Sequence, residues 1–201
     1  MKIFAVIHNY GEENPGALMG EGPVCWYEMP DSSVLRSGNP FFVPDSDTEY
    51  IAFPSVCYRI GRLGKSIAAR FAHRYIDAAT IAVAVVAANR LREARRAGMP
   101  WTAATSFDRS CMLGNLTPIE TFIEYGPTEI GFGGRTLTYD TALLRLQADR
   151  LTEAISADNT LKNGDLILAG LPAEGITLTP GMRIEATDAA HNMKLIDINI
   201  R

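Results

Sequence analysis

The sequence predicts a mixed, mainly β fold (α+β), and three observations carry that prediction. The stretch from Glu49 to Asn89 reads as strand, turn, helix, strand. The second half holds short strand-like runs parted by Gly-Pro, Gly-Gly and Pro-Gly pairs. Helical periodicity occurs only in short segments, as expected of helices flanking a β domain. A length of 201 residues suffices for one sizeable domain, and no linker, repeat or low-complexity run divides 1–201.

Taken in order, Lys2 to His8 reads as a first strand, with Ile3, Ala5 and Ile7 on one face. Asn9 to Pro15 reads as a polar loop, and Val24 to Tyr27 as a short second strand. Met29 to Leu35 and Pro40 to Pro44 flank a turn at Ser37-Gly38. Ile51 to Ile60 is rich in strand formers. The glycines of Gly61-Arg62-Leu63-Gly64-Lys65 make a turn, and Ser66 is placed to cap a helix bearing Ile67, Phe71 and Tyr75 at every fourth residue. Thr80 to Ala88 is small and apolar, as a strand covered on both faces would be. Leu91 to Ala97 reads as a charged helix, closed by Gly98 with Pro100 beyond.

Glu120 to Tyr125, Glu129 to Phe132 and Arg135 to Tyr139 read as strands. Leu143 to Ile155 reads as an amphipathic helix with Leu144, Gln147, Leu151 and Ile155 stacked. The tail alternates strands with turns at Pro180-Gly181 and His191-Asn192.

Composition narrows the function classes. Nineteen Lys and Arg against 23 Asp and Glu give a net charge of −4, which argues against a nucleic-acid partner. No apolar run is long enough to span a membrane, and the start has too short an apolar segment for a secretory signal. Cys25, Cys57 and Cys111 are odd in number and fit neither a disulfide framework nor a metal-ligand spacing, so a reduced, cytoplasmic setting is expected.

Five stretches together resemble the fumarylacetoacetate hydrolase superfamily. They are the Asn9-Tyr10 loop, the step at Met29-Pro30-Asp31-Ser32, the turn Ile60 to Ile67, and Trp101 with Phe107, Asp108, Leu113 and Gly114. The fifth and most specific is Thr160-Leu161 with Gly164-Asp165, Ile167, Gly170 and Pro172. The resemblance implies a β-roll or distorted β-sandwich with short flanking helices, commonly assembled as a homodimer. It also implies acylpyruvate-type 2-oxo acid substrates, a Mg2+ or Ca2+ ion held by two strand glutamates and an aspartate, and a histidine activating water. Such an oxygen cage suits a hard cation, which would polarise a carbonyl as a Lewis acid.

Carried over position by position, none of those groups is present. The glutamates fall on Phe53 and Ser55, the aspartate on Ala84, two lysines on Thr105 and Met29, a threonine on Leu171, and the histidine on Glu13. Cys57 alternates with Ser55 and belongs to the same candidate pocket, next to Arg59. The expectation is therefore no metal, no cofactor and no catalytic residue. It is of a function-shifted or non-catalytic relative that binds a small carboxylic or aromatic molecule. Two alternatives stand beside it: an active hydrolase, isomerase or decarboxylase on a 2-oxo acid, and a structural subunit paired with an active homologue. Asp47 and Glu49 read as solvated strand-end charges, Arg90 to Arg96 as a solvated helix face, and His8, His73 and His191 as structural or surface histidines. Asp108 is expected to tie its loop to backbone amides.

Overall fold

The structure, a computed structural model, describes residues 1–11, 17–20, 22–122, 126–188 and 193–201. Its first strands are β1 (Lys2–Ile7), β2 (Cys25–Pro30), β3 (Val34–Arg36), β4 (Tyr50–Ile60) and β5 (Ile76–Ala87). Helices α1 (Ala88–Ala97) and α2 (Thr102–Thr105) follow, then β6 (Cys111–Leu113), β7 (Thr117–Pro118) and α3 (Ile119–Phe122). The remainder is β8 (Thr128–Phe132), β9 (Arg135–Tyr139), α4 (Ala148–Asp158), β10 (Leu166–Leu168), β11 (Ile176–Thr177), β12 (Arg183–Asp188) and β13 (Met193–Asn199).

The larger sheet runs β2-β1-β10-β4-β5-β6-β3, with β11 beside β4 and β7 beside β5; the smaller runs β13-β12-β8-β9. The architecture is the expected mixed one, mostly strands around a curled sheet. Its centre is the antiparallel pair β4–β5, joined from Tyr50↔Ala87 to Ile60↔Ile76.

Alternation along this pair divides the core in two. Phe53, Cys57, Ala82, Ala84 and Val86 pack with Leu91 of α1 and Ala104 of α2. Ala52, Val56, Tyr58, Ile81 and Val83 pack on the other side against Ile130, Phe132 and Ile196 of the smaller sheet. The pair is thus buried on both faces, and β5 is the apolar run expected of such a strand, beginning at Ile76 rather than Thr80.

Pro54, which has no N–H for a ladder, sits where the neighbouring chain leaves a gap. β11 pairs with Ile51 and Ala52, and β10 pairs with Cys57 to Arg59.

Four local readings change. The predicted helix at Ser66 to Tyr75 is a 3-10 helix at Ala69–Arg74 with no side-chain cap. Ser66 lies in the left-handed region (φ 52°) and gives its N–H to Ser156 O, so it ends a turn instead of capping a helix. Phe71 is left partly exposed between Arg70 and Arg74, 4.7 and 4.9 Å from its ring centre. The predicted helix at Leu143 to Ile155 is α4, shifted to start at Ala148, since Thr141–Leu143 form a separate 3-10 turn capped by Asp140.

The predicted strand at Glu120 to Tyr125 begins as α3; its last three positions lie outside the described residues, as do Glu13 and His191. Asp108 makes no hydrogen bond among the described residues. Its loop is held instead by Ser110 Oγ, which donates to Phe107 O at 2.6 Å.

Candidate functional site

The positions singled out by carry-over do converge. Met29 on β2, Phe53 and Cys57 on β4, Ala84 on β5 and Leu171 after β10 belong to one buried cluster. Phe53 and Ala84 are direct cross-strand partners, so their side chains stand side by side on one face. Both are sealed from solvent, Phe53 at 1% and Ala84 at 0% exposure. Glu13 lies outside the described residues.

Ser55, also sealed, is fully engaged. Its Oγ donates to Val56 O (2.9 Å) and accepts the N–H of Gly170 (3.2 Å), 3.4 Å from the Tyr139 hydroxyl. Tyr139 in turn donates to Gly170 O at 2.8 Å. This small network closes the gap opposite Pro54.

Thr105 does comparable work on α2. Its Oγ1 donates to Trp101 O (3.1 Å), and the adjacent Ser106 hydroxyl donates to Glu28 O on β2 (2.9 Å). Leu171 contributes its backbone N–H to Val6 O, fixing the loop after β10 to β1.

These residues do not fit a divalent cation. A phenyl ring and a methyl group offer no donor, and the one hydroxyl between them is already spent on backbone groups. Among the described residues, no three of His, Cys, Asp and Glu gather closely enough to hold a metal. The nearby acids are used elsewhere. Glu49 pairs with Arg92 at 2.9 Å and Asp45 with Arg90 at 2.8 Å, which ties α1 to the loop before β4. The Asp47 carboxylate accepts from the neighbouring Ser46 hydroxyl at 3.3 Å, and its backbone carbonyl accepts from the Asn89 side-chain amide at 3.3 Å.

The nucleophile candidates are quiet for equally physical reasons. Burial pushes the Cys57 thiol well above its ordinary pKa, with Cys111 adding to the effect, and pushes Cys111 up to about 12. A thiolate is therefore disfavoured at both. Arg59, the cation near Cys57 in sequence, is held by Asp77 in a two-bonded pair at 2.8 and 2.9 Å. His8 Nδ1 donates to Pro23 O at 3.0 Å, while its Nε2 is buried with no hydrogen-bond partner among the described residues.

Sequence alternation gave little warning of a second feature. On the opposite face of β4, Tyr58, Ile76 and Phe122 line a cavity of about 570 Å3. The cue available was Tyr58 itself, an aromatic whose position on β4 turns it away from Phe53 and Cys57.

The family model for the fumarylacetoacetate (FAA) hydrolase C-terminal region matches residues 2–196. Oxaloacetate decarboxylase of Dictyostelium discoideum is 24% identical over 189 residues, 92% of this chain and 87% of that protein. A 4-hydroxyphenylacetate degradation bifunctional isomerase/decarboxylase of Salmonella dublin is 28% identical over 166 residues, 79% of this chain but only 36% of that protein. Among solved structures, fumarylpyruvate hydrolase of Pseudomonas aeruginosa, in complex with Mn2+ and pyruvate, superposes with a TM-score of 0.85. It is 18% identical and covers 100% of this chain and 89% of its own. A fumarylacetoacetate hydrolase family protein from Yersinia pestis CO92 gives 0.87 at 19% identity, covering 100% and 92%. With the fold, the motif positions and the matched span in agreement, this chain belongs to the fumarylacetoacetate hydrolase family.

Proposed function

We propose that this protein is a metal-free member of its family, without catalysis at the family's site, that acts by binding a small molecule or a partner. One observation carries the reading: Phe53 fills, as packed core, the place where the family resemblance puts a metal-binding glutamate, with Ala84 opposite. A cation placed there would meet a ring, a methyl and an occupied hydroxyl. Stripping its water without replacing those oxygens is prohibitively unfavourable. The replacements also agree with one another, since a lone surviving carboxylate in this dry cluster would cost several kcal/mol, on the order of a buried unpaired charge.

The rival reading, activity on a 2-oxo acid, draws support from the Dictyostelium relative's name. Oxaloacetate is thus the first substrate to try. Decarboxylation and tautomerisation of oxaloacetate, and cleavage of an acylpyruvate, would be followed with Mg2+ or Mn2+ added and then chelated. The proposal expects background rates throughout. Chelator-sensitive turnover would overturn it.

The same proposal takes the chain as one domain over 1–201, assembled as a homodimer and housed in a reducing compartment such as the cytoplasm. Three free cysteines support the last point. Light scattering after size exclusion checks the dimer, and a monomer at micromolar concentration would remove it.

A further inference from the structure

The cavity behind β4 has the make-up of a ligand site, and it is independent of the family cluster because it opens on the other side of the sheet. Tyr58, Ile76, Ile119 and Phe122 give it an apolar wall, and its volume of about 570 Å3 matches a small organic molecule. The wall also carries a polar group with nothing to bind. Tyr58 is only 7% exposed, yet its hydroxyl has no hydrogen-bond partner among the described residues. Nor is that hydroxyl sealed away, as the Tyr27 hydroxyl is. Burial holds its pKa up at about 12, so it stays a neutral donor and acceptor.

The charges lining the cavity are carboxylates, with the Arg150 guanidinium within electrostatic reach of Asp149. Glu120 and Asp149 line it, and among the described residues no lysine or arginine does. Glu120 is exposed and has no ion-pair partner among the described residues. Asp149 accepts the N–H of Arg150, whose guanidinium is turned to Glu153 at 2.8 Å. His73, exposed at the end of its 3-10 helix, is the other titratable group there. Such a rim repels carboxylates and favours an ammonium, the reverse of what a 2-oxo acid needs.

We infer that this cavity is a binding site for a small aromatic or aliphatic molecule that carries a hydrogen-bonding group for Tyr58 and an uncharged or cationic end for the Glu120–Asp149 rim.

A matched pair of probes tests this on the full-length protein. N-(2-aminoethyl)benzamide and hippurate share a benzamide and differ in bearing an ammonium or a carboxylate. Each would be titrated by calorimetry and by thermal shift, since a ligand taken up only by the folded state raises the midpoint. The ammonium probe is expected to bind saturably, about tenfold or more tighter than hippurate. Tyr58→Phe should weaken it about fivefold, in keeping with one lost hydrogen bond. Ile119→Trp, at a half-buried wall position, should abolish it, while Met99→Ala, at an exposed position outside the cavity lining, should leave it unchanged. Absence of saturable binding by either probe would overturn the inference. So would equal or tighter binding of hippurate, or binding that survives Ile119→Trp or Tyr58→Phe undiminished.

Discussion

Phe53 and Ser55 stand two residues apart on β4, and each is fixed by something different. Phe53 is held by packing, as one of the largest fully buried side chains. Ser55 is held by hydrogen bonds to groups 115 and 84 residues away in sequence. Phe53→Glu is accordingly expected to destabilise the fold by about 3 kcal/mol or more near neutral pH, because the new carboxylate has no partner in the cluster. Urea unfolding measures this, with and without millimolar Mg2+. Recovery of stability on adding the ion would mean that the cluster can still rearrange into a cage. Tyr27 provides the converse case. Its hydroxyl is buried without a hydrogen-bond partner among the described residues, so Tyr27→Phe should be neutral or stabilising by up to about 1 kcal/mol. A loss of more than that would reveal a hidden bond.

Among the elements, the seam between the two sheets leaves no room for a side chain at Gly114. Gly114 follows β6, and a Cβ there would run into the backbone oxygens of Ile81 on β5 (2.6 Å) and of Leu195 on β13. The Gly114 N–H already donates to Ile81 O, and Asn115 N–H to Leu195 O. Since backbone cannot swing aside as a flexible side chain can, Gly114→Ala should cost about 2 kcal/mol or more. Its thermal midpoint would fall by several degrees. A shift of under one degree would mean that the seam is looser than its contacts.

The elements read best from sequence were those with strong local signals. β1 followed from alternation, β4 from its strand-forming residues and β5 from its continuous apolar run, and α1 from its closing Gly98, which is left-handed at φ 65°. Ser66 misled because serine before an apolar repeat looks like a cap, whereas its N–H is claimed by α4 through Ser156 O. Leu143 and Leu144 continue the period of α4, yet Asp140 turns the chain just before it. Leu144 is drawn into the core while Leu143 is exposed.

At the scale of the molecule, acid should loosen the smaller sheet first. Asp197 on β13 is held well below the usual carboxylate range, chiefly by the Arg183 guanidinium (2.8 Å to each oxygen) and then by Lys194. A depressed folded pKa means the stabilisation is fully present above the unfolded carboxyl value of about 3.9. It is lost as pH falls from there toward the lower folded value. Asp197→Asn should remove about 1 kcal/mol at pH 7, a modest figure because the network is largely solvated. It should also flatten the stability curve below pH 4. Residual slope would come from Asp45, depressed first by its bond to Thr48, and Glu153, depressed first by the Ala69 N–H. Urea midpoints between pH 2 and 7 check this, and an unchanged acid limb in the variant would refute it.

The sequence by itself determined the family, the fold class and the approximate places of several strands; the order of strands in the two sheets came from the structure. Glycine turns, strand-forming runs and motif spacing are local, so they are legible without knowing which distant segments meet. The family resemblance also named Phe53, Ser55 and Ala84 as neighbours in one candidate site, because motif spacing along a strand is countable. Only the tertiary structure decided what those residues do there: Phe53 sealed by α1 and α2, Ser55 spent on Gly170, Thr105 binding its own helix. It alone placed an unpaired Tyr58 hydroxyl in a hollow bounded by α3 and α4. Such facts depend on contacts between segments a hundred residues apart, and no local periodicity records which distant chain will arrive to satisfy a buried polar atom or leave it free.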